Sequence, residues 1–191
     1  MIFSGCTWIE REYYYASHEN QLDWTHEFFE GEGGGKWVQL PAKDVLTYAY
    51  EDLQLKVHAS YLNMTFFGPV IVPIIPLPGD SLKKLHLSIE VISSKDSVDI
   101  KPNEWSLKVL SPSTAGATVL KPSTVFNYLQ EEERKRKKHI FYTLVFPIEV
   151  ADVGEVEIEI ESIKYGTKVL KPSKIKLKKT KGDWYFNGFT V

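Results

Sequence analysis

Leu53-Gln54-Leu55-Lys56-Val57-His58-Ala59-Ser60-Tyr61 carries an apolar side chain at every odd position and a polar one at every even position. Successive side chains on an extended strand point to opposite faces, so a spacing of two predicts one buried and one wet face. The same pattern recurs on both sides of this stretch. Leu85, Leu87, Ile89 and Val91 alternate with His86, Ser88 and Glu90, and Val156, Ile158 and Ile160 alternate with Glu155, Glu157, Glu159 and Glu161. Trp105, Leu107 and Val109 repeat it, as do Ile175 and Leu177. The glutamate row must face water, because unpaired carboxylates are costly to bury.

Turn signals separate these runs: Pro78-Gly79-Asp80, Lys101-Pro102-Asn103, Ser111-Pro112-Ser113, Asp152-Val153-Gly154, Tyr165-Gly166 and Lys181-Gly182-Asp183. Short strands with regular punctuation favour an antiparallel sandwich, and no strand-then-helix rhythm is present to build a parallel sheet. The expected fold is all-β: an antiparallel Ig-like Greek-key sandwich over residues 36–191. Residues 1–35 are expected to form an irregular aromatic N-terminal segment and a Gly-rich connection. Leu55, Val57, Leu87, Ile89, Leu107, Val156 and Ile158 should face inward. The charged block at residues 131–138 would form three favourable i,i+4 pairs on a helix. It reads as a short exposed helix or a long hairpin excursion before a strand at 139–146. Its three glutamates offset the basic run, which argues against a nucleic-acid patch. A Val-Leu-x-Pro-Ser motif begins at Val109, Val119 and Val169; it reads as a strand ended by a proline, and its uneven spacing excludes a solenoid.

The 191 residues include 23 Lys+Arg against 25 Asp+Glu, a net charge of −2, so nucleic acid is not an expected partner. With 43% hydrophobic and 25% charged residues the composition is globular. A single cysteine excludes an internal disulfide framework and a multi-thiolate zinc site. Residues 59–79 carry no charge over about the length of a membrane span, but they contain Gly68, Pro69, Pro73, Pro76 and Pro78. Each interior proline costs a helix roughly 3 kcal/mol, so this is not a spanning helix. It reads as an extended apolar connection displaying Phe66, Phe67, Val70, Ile71, Ile74 and Ile75. The expectation is a loop or edge strand packed over one end of the sandwich, with Val70 and Ile71 exposed; the other reading is a contact patch for a membrane or partner.

Catalytic signals are poor. His26-Glu27-Phe28-Phe29-Glu30 has zinc-protease spacing, yet Glu30 stands where the second histidine must be, so no metal is expected. Gly31-Glu32-Gly33-Gly34-Gly35-Lys36 lacks the Ser or Thr that a phosphate loop needs after its lysine. No Gly-x-Ser-x-Gly elbow occurs, and no base adjoins Cys6. The row Glu155 to Glu161 reads as a solvated strand face rather than a glycosidase pair. No catalytic residue and no cofactor are expected. Trp8, Tyr13, Tyr14, Tyr15 and Trp24 suit either a sugar-stacking platform or apolar contacts that dock the N-terminal segment.

Phe3-Ser4-Gly5-Cys6 looks like the end of a bacterial lipoprotein signal, in which two small residues precede the lipidated cysteine; Phe3 stands where an aliphatic residue is usual. Met1-Ile2-Phe3 holds no basic region and no full apolar stretch, so Ile2 and Phe3 read as the stub of a longer one. An aromatic segment at 8–29, glycines at 31–35, the alternating strand at 53–61 and Gly68-Pro69…Pro73-Ile74-Ile75-Pro76 follow in order. The chain closes with Leu170-Lys171-Pro172-Ser173-Lys174-Ile175-Lys176-Leu177. In this order of features it resembles uncharacterised bacterial envelope lipoproteins with an Ig-like β-sandwich domain. The block at 131–138 stands outside the resemblance as a local insertion. The resemblance implies a lipid on Cys6, attachment to a membrane of the cell envelope, and a non-enzymatic binding or structural module. Its partner would be an envelope protein or a glycan, and no reaction comes with it. The residues also admit a soluble cytoplasmic interaction protein of the same fold, in which Cys6 has no role, and thirdly a hydrolase of unknown class.

Overall fold

A computed structural model describes residues 6–16, 23–29, 43–60, 64–67, 84–94, 98–111, 118–132, 137–181 and 185–188. Its strands are β1 (Cys6–Ala16), β2 (Trp24–Phe29), β3 (Lys43–Tyr50), β4 (Leu53–Ser60), β5 (Met64–Phe67), β6 (Lys84–Ser93), β7 (Val98–Asp99) and β8 (Ser106–Ser111). They continue with β9 (Val119–Leu120), β10 (Thr124–Glu132), β11 (Lys137–Glu149), β12 (Glu155–Glu159), β13 (Ile163–Tyr165), β14 (Lys168–Leu170), β15 (Ile175–Lys181) and β16 (Tyr185–Gly188). Two single 3-10 turns, Pro102–Glu104 and Val150–Asp152, interrupt them. The protein is all-β.

One sheet runs β16-β1-β15-β12-β8-β9, with β5 also on β1, and a second runs β10-β11-β6-β4-β3-β2. A small third sheet, β14-β13-β7, joins the hairpin before β15 to the connection after β6. All strand pairs are antiparallel. The two large sheets share one core, as in a β-sandwich. Tyr14, Trp105, Leu107, Val156, Ile158, Ile175 and Leu177 enter it from the first; Leu46, Leu53, Leu55, Val57, Leu87, Ile89 and Leu144 enter it from the second. Every alternating run read from the sequence presents its apolar face inward. The glutamates between Val156 and Ile160 stay at the surface, where Lys174 Nζ lies 3.2 Å from Glu157 and 3.4 Å from Glu159.

One expectation needs correction. Residues 6–16 and 24–29 are strands of the two sheets rather than parts of an irregular segment, and Tyr14 and Trp24 are core residues. Aromatic and β-branched residues suit a half-buried pleated surface, and the distant partner strands supply the burial. Glu10 and Glu12 break the apolar alternation that would have marked β1. Of the two forms expected for the charged block, its described residues take the hairpin one: Glu131 faces Lys138 and Glu132 faces Lys137 across β10 and β11. Pairing opposite charges across a ladder serves the same residues without helical spacing. Each proline motif follows a strand, with β8 ending at Ser111, β9 at Leu120 and β14 at Leu170.

Candidate functional site

Strands β3 and β4 are joined by Glu51 and Asp52 alone, since Tyr50 pairs with Leu53. A two-residue hairpin must twist with its strands, which requires a left-handed residue in the turn. Glu51 supplies it at φ 53°, where glycine is usual. The β13–β14 hairpin turns through Gly166 at φ 60°, where the missing Cβ makes that conformation free of cost.

These two turns are fastened together at one end of the sandwich. Asp52 Oδ2 accepts hydrogen bonds from the Ser94 backbone N–H (2.8 Å), the Ser94 hydroxyl and the Ser93 hydroxyl (3.4 Å). Its Oδ1 accepts from the buried Tyr165 hydroxyl. The Tyr165 ring meets Tyr50 edge-on, with centroids 5.8 Å apart. Lys168 Nζ donates to the Tyr50 hydroxyl (2.6 Å) and to Glu51 Oε1 (2.9 Å), and lies 5.0 Å from the Tyr50 ring centroid. Ser94 and Tyr165, bonding the charged form, hold the Asp52 carboxyl well below the usual carboxylate range. Tyr50 and then Glu51 push the Lys168 ammonium above its ordinary value. Both shifts run away from neutrality. A carboxylate this acidic is a poor general base, and an ammonium this basic is a poor nucleophile. The cluster is a brace that stiffens a surface. Lys164, Val169 and Asp99 stand at facing positions on the outer side of that surface, and Val169 is 65% exposed.

The other sites expected from the sequence fall elsewhere. Cys6 opens β1 opposite Gly188. Phe66 and Phe67, expected in a loop or edge strand, belong to β5 and pair with Ile9 and Trp8, so the apolar connection begins two positions from the level of Cys6. Val70, Ile71, Ile74 and Ile75 lie outside the described residues, as do Glu30 and the glycines at 31–35. His26 sits on a strand, not on a helical turn, with Nδ1 3.4 Å from Asp44 Oδ1. Among the described residues no three His, Cys, Asp or Glu side chains are grouped to hold a metal. Of the aromatic candidates, Tyr14 donates its hydroxyl to the Val153 carbonyl at 2.9 Å and Trp24 Nε1 to that of Ser173 at 3.1 Å. Those two dock strands; the side chains of Trp8, Tyr13 and Tyr15 lie outside the described residues.

No family model, curated protein or solved structure matches this chain. The chemistry of these residues therefore carries the functional reading alone. Sequence inspection missed Asp52, Ser94 and Lys168, because Asp52 and Tyr165 are 113 residues apart and only the fold brings them together. The one usable signal was Glu51-Asp52 sitting between the apolar stretch Tyr48-Ala49-Tyr50 and the alternating run from Leu53, a two-residue hairpin signature with an unusual first residue.

Proposed function

We propose that this protein is a non-enzymatic Ig-like module of a bacterial envelope, held to the membrane by a lipid on Cys6. Its braced hairpin end is presented to an envelope protein or glycan. The observation that carries the reading is the direction of β1. Ala16 pairs with Leu177 near the start of β15, four residues after the β13–β14 hairpin, whereas Cys6 pairs with Gly188 at the other end of the joint. At about 3.3 Å per residue the strand carries Cys6 roughly 33 Å from the braced end. Phe66 and Phe67, where the apolar connection starts, stand at the Cys6 end. Cys6 and the Phe66-Phe67 start of the apolar connection thus share one pole, and the stiffened surface occupies the other.

Strand order supports the Ig-like part of the proposal. The sequence β4-β6-β11-β10 against β15-β12-β8 follows the A-B-E-D and G-F-C arrangement of constant-type Ig sheets. Trp105, fully buried just before β8, stands where those domains keep their core tryptophan. In this correspondence the braced end joins the turn before strand A to the B–C and F–G connections, two of the three that carry recognition in variable domains.

Metabolic labelling tests the anchor. The natural gene product in a bacterial host should incorporate labelled palmitate, and Cys6→Ser should abolish it; a combination of acyl chains holds a membrane far more firmly than one. Label retained by Cys6→Ser would remove the lipoprotein assignment, and a wild-type product without label would favour the soluble interaction protein.

A further inference from the structure

β10 is the outermost strand of the second sheet, with β11 on one side and, among the described residues, no strand on the other. An open edge offers its N–H and C=O groups to any passing strand, and natural sheets blunt such edges with lysine, proline, bulges or short length. β10 spans nine residues, and from Thr124 to Gln130 it has no charge and no proline. Its side chains are as open as its backbone. Phe126 and Tyr128 are each 61% exposed on one face, and Leu129 is 54% exposed on the other. Tyr128 stacks on Phe141 of β11 with centroids 4.6 Å apart and planes within 10°.

We propose that β10 pairs antiparallel with β10 of a second copy about a two-fold axis at Asn127, joining the two second sheets into one. The strand's own pattern selects both the partner and the register. A sheet continues smoothly only when facing residues share a face, which limits the axis to a residue position rather than a point between two. With the axis at Asn127, Phe126 faces Tyr128, Val125 faces Leu129, Thr124 faces Gln130 and Asn127 faces itself. Apolar meets apolar and polar meets polar at every position. An axis at Tyr128 would set Val125 against Glu131, and one at Phe126 would set Val125 against Asn127. The charges also fit. Glu131 and Glu132 of each copy reach Ser123 and Pro122 of the other, next to Lys121, so the acidic ends avoid each other and adjoin an opposite charge. Tyr128 then lies between its own Phe141 and Phe126 of the second copy, and the symmetry repeats that aromatic row.

Sedimentation equilibrium of the full chain should show a dimer. Phe126→Lys with Leu129→Lys should raise its dissociation constant at least about tenfold, without lowering the melting temperature measured at concentrations where both proteins are monomers, since both positions are exposed. Register is tested separately in a Cys6→Ser background by oxidation with copper phenanthroline and air. Asn127→Cys should cross-link to a dimer, because residues facing across strands are about 5 Å apart. Thr124→Cys should not, since its twin lies about 20 Å away, whereas Thr124→Cys with Gln130→Cys should. A monomer at roughly 100 µM, or equal cross-linking at 124 and 127, would overturn the proposal.

Discussion

Glu51 holds a left-handed conformation that costs a non-glycine residue about 1–2 kcal/mol. The exposed ion pair it makes with Lys168 is screened by solvent and offsets little of that cost. Glycine at this position would remove the strain, yet it would also loosen the unfolded chain by roughly 0.5–1 kcal/mol. These quantities nearly cancel, so Glu51→Gly should leave the melting temperature within about 4 °C, measured by calorimetry. A larger fall would mean that the Lys168 pair carries more than exposed charges normally do. Asp52 differs because its carboxylate is bonded by several donors. Its folded pKa lies below the unfolded value near 3.9, so its stabilisation is present above that pH and is lost as pH falls further. Asp52→Asn should lower the melting temperature at pH 7 by about 2–4 °C, from about 1 kcal/mol after allowing for solvent screening. The gap to wild type should narrow progressively below pH 4. A gap independent of pH would show that the carboxylate's charge is not what the brace uses.

At the scale of elements, a strand was legible where one face is buried along its whole length. β4, β6 and β12 meet that condition, so Leu55, Val57, Leu87, Ile89, Val156 and Ile158 could be placed inward by spacing alone; all are at most 1% exposed. β1 fails it, because its first part lies between β16 and β5 while its last part pairs with β15, and polar residues interrupt the pattern. Its core contribution is concentrated in Tyr14, whose hydroxyl satisfies the Val153 carbonyl 139 residues away. The candidate site was illegible for a related reason: its hydrogen bonds link turns that no local pattern connects. Tyr14→Phe leaves a buried carbonyl without its donor, a loss of about 1–3 kcal/mol, and should lower the melting temperature by at least about 3 °C. Trp105 offers a contrast. It is fully buried and, among the described residues, its Nε1 has no hydrogen-bond partner, so most of its contribution is packing. Trp105→Ala should cost about 3–5 kcal/mol, and Trp105→Phe clearly less, because the latter keeps much of the ring volume and removes an unpaired donor. Equal losses from the two would assign the tryptophan a polar role.

Across the whole molecule, the first and last described strands lie side by side. β1 pairs with β15 and β16, and the start of β2 is tied to the segment before β15 by Trp24 Nε1 and by Asp23, whose carboxylate accepts the Ser173 N–H at 3.1 Å. Such pairings require closing nearly the whole chain before they repay the entropy, which places folding in the slow range of β-sandwiches, roughly milliseconds to seconds. They also make the N-terminal strand part of the fold and not a tether to it. Removing residues 1–16 would strip β15 of its neighbour, expose an unprotected sheet edge and take Tyr14 out of the core. Removing residues 175–191 would leave β1 without β15 and β16 and open the other side of the same joint. Both deletions should therefore abolish the cooperative thermal transition of the intact chain, followed by near-ultraviolet circular dichroism, and both products should aggregate. An N-terminal deletion that melts cooperatively at the wild-type temperature would detach β1 from the sandwich. Cys6 would then mark a flexible tether, and the roughly 33 Å separating it from the braced end would no longer be fixed by a strand.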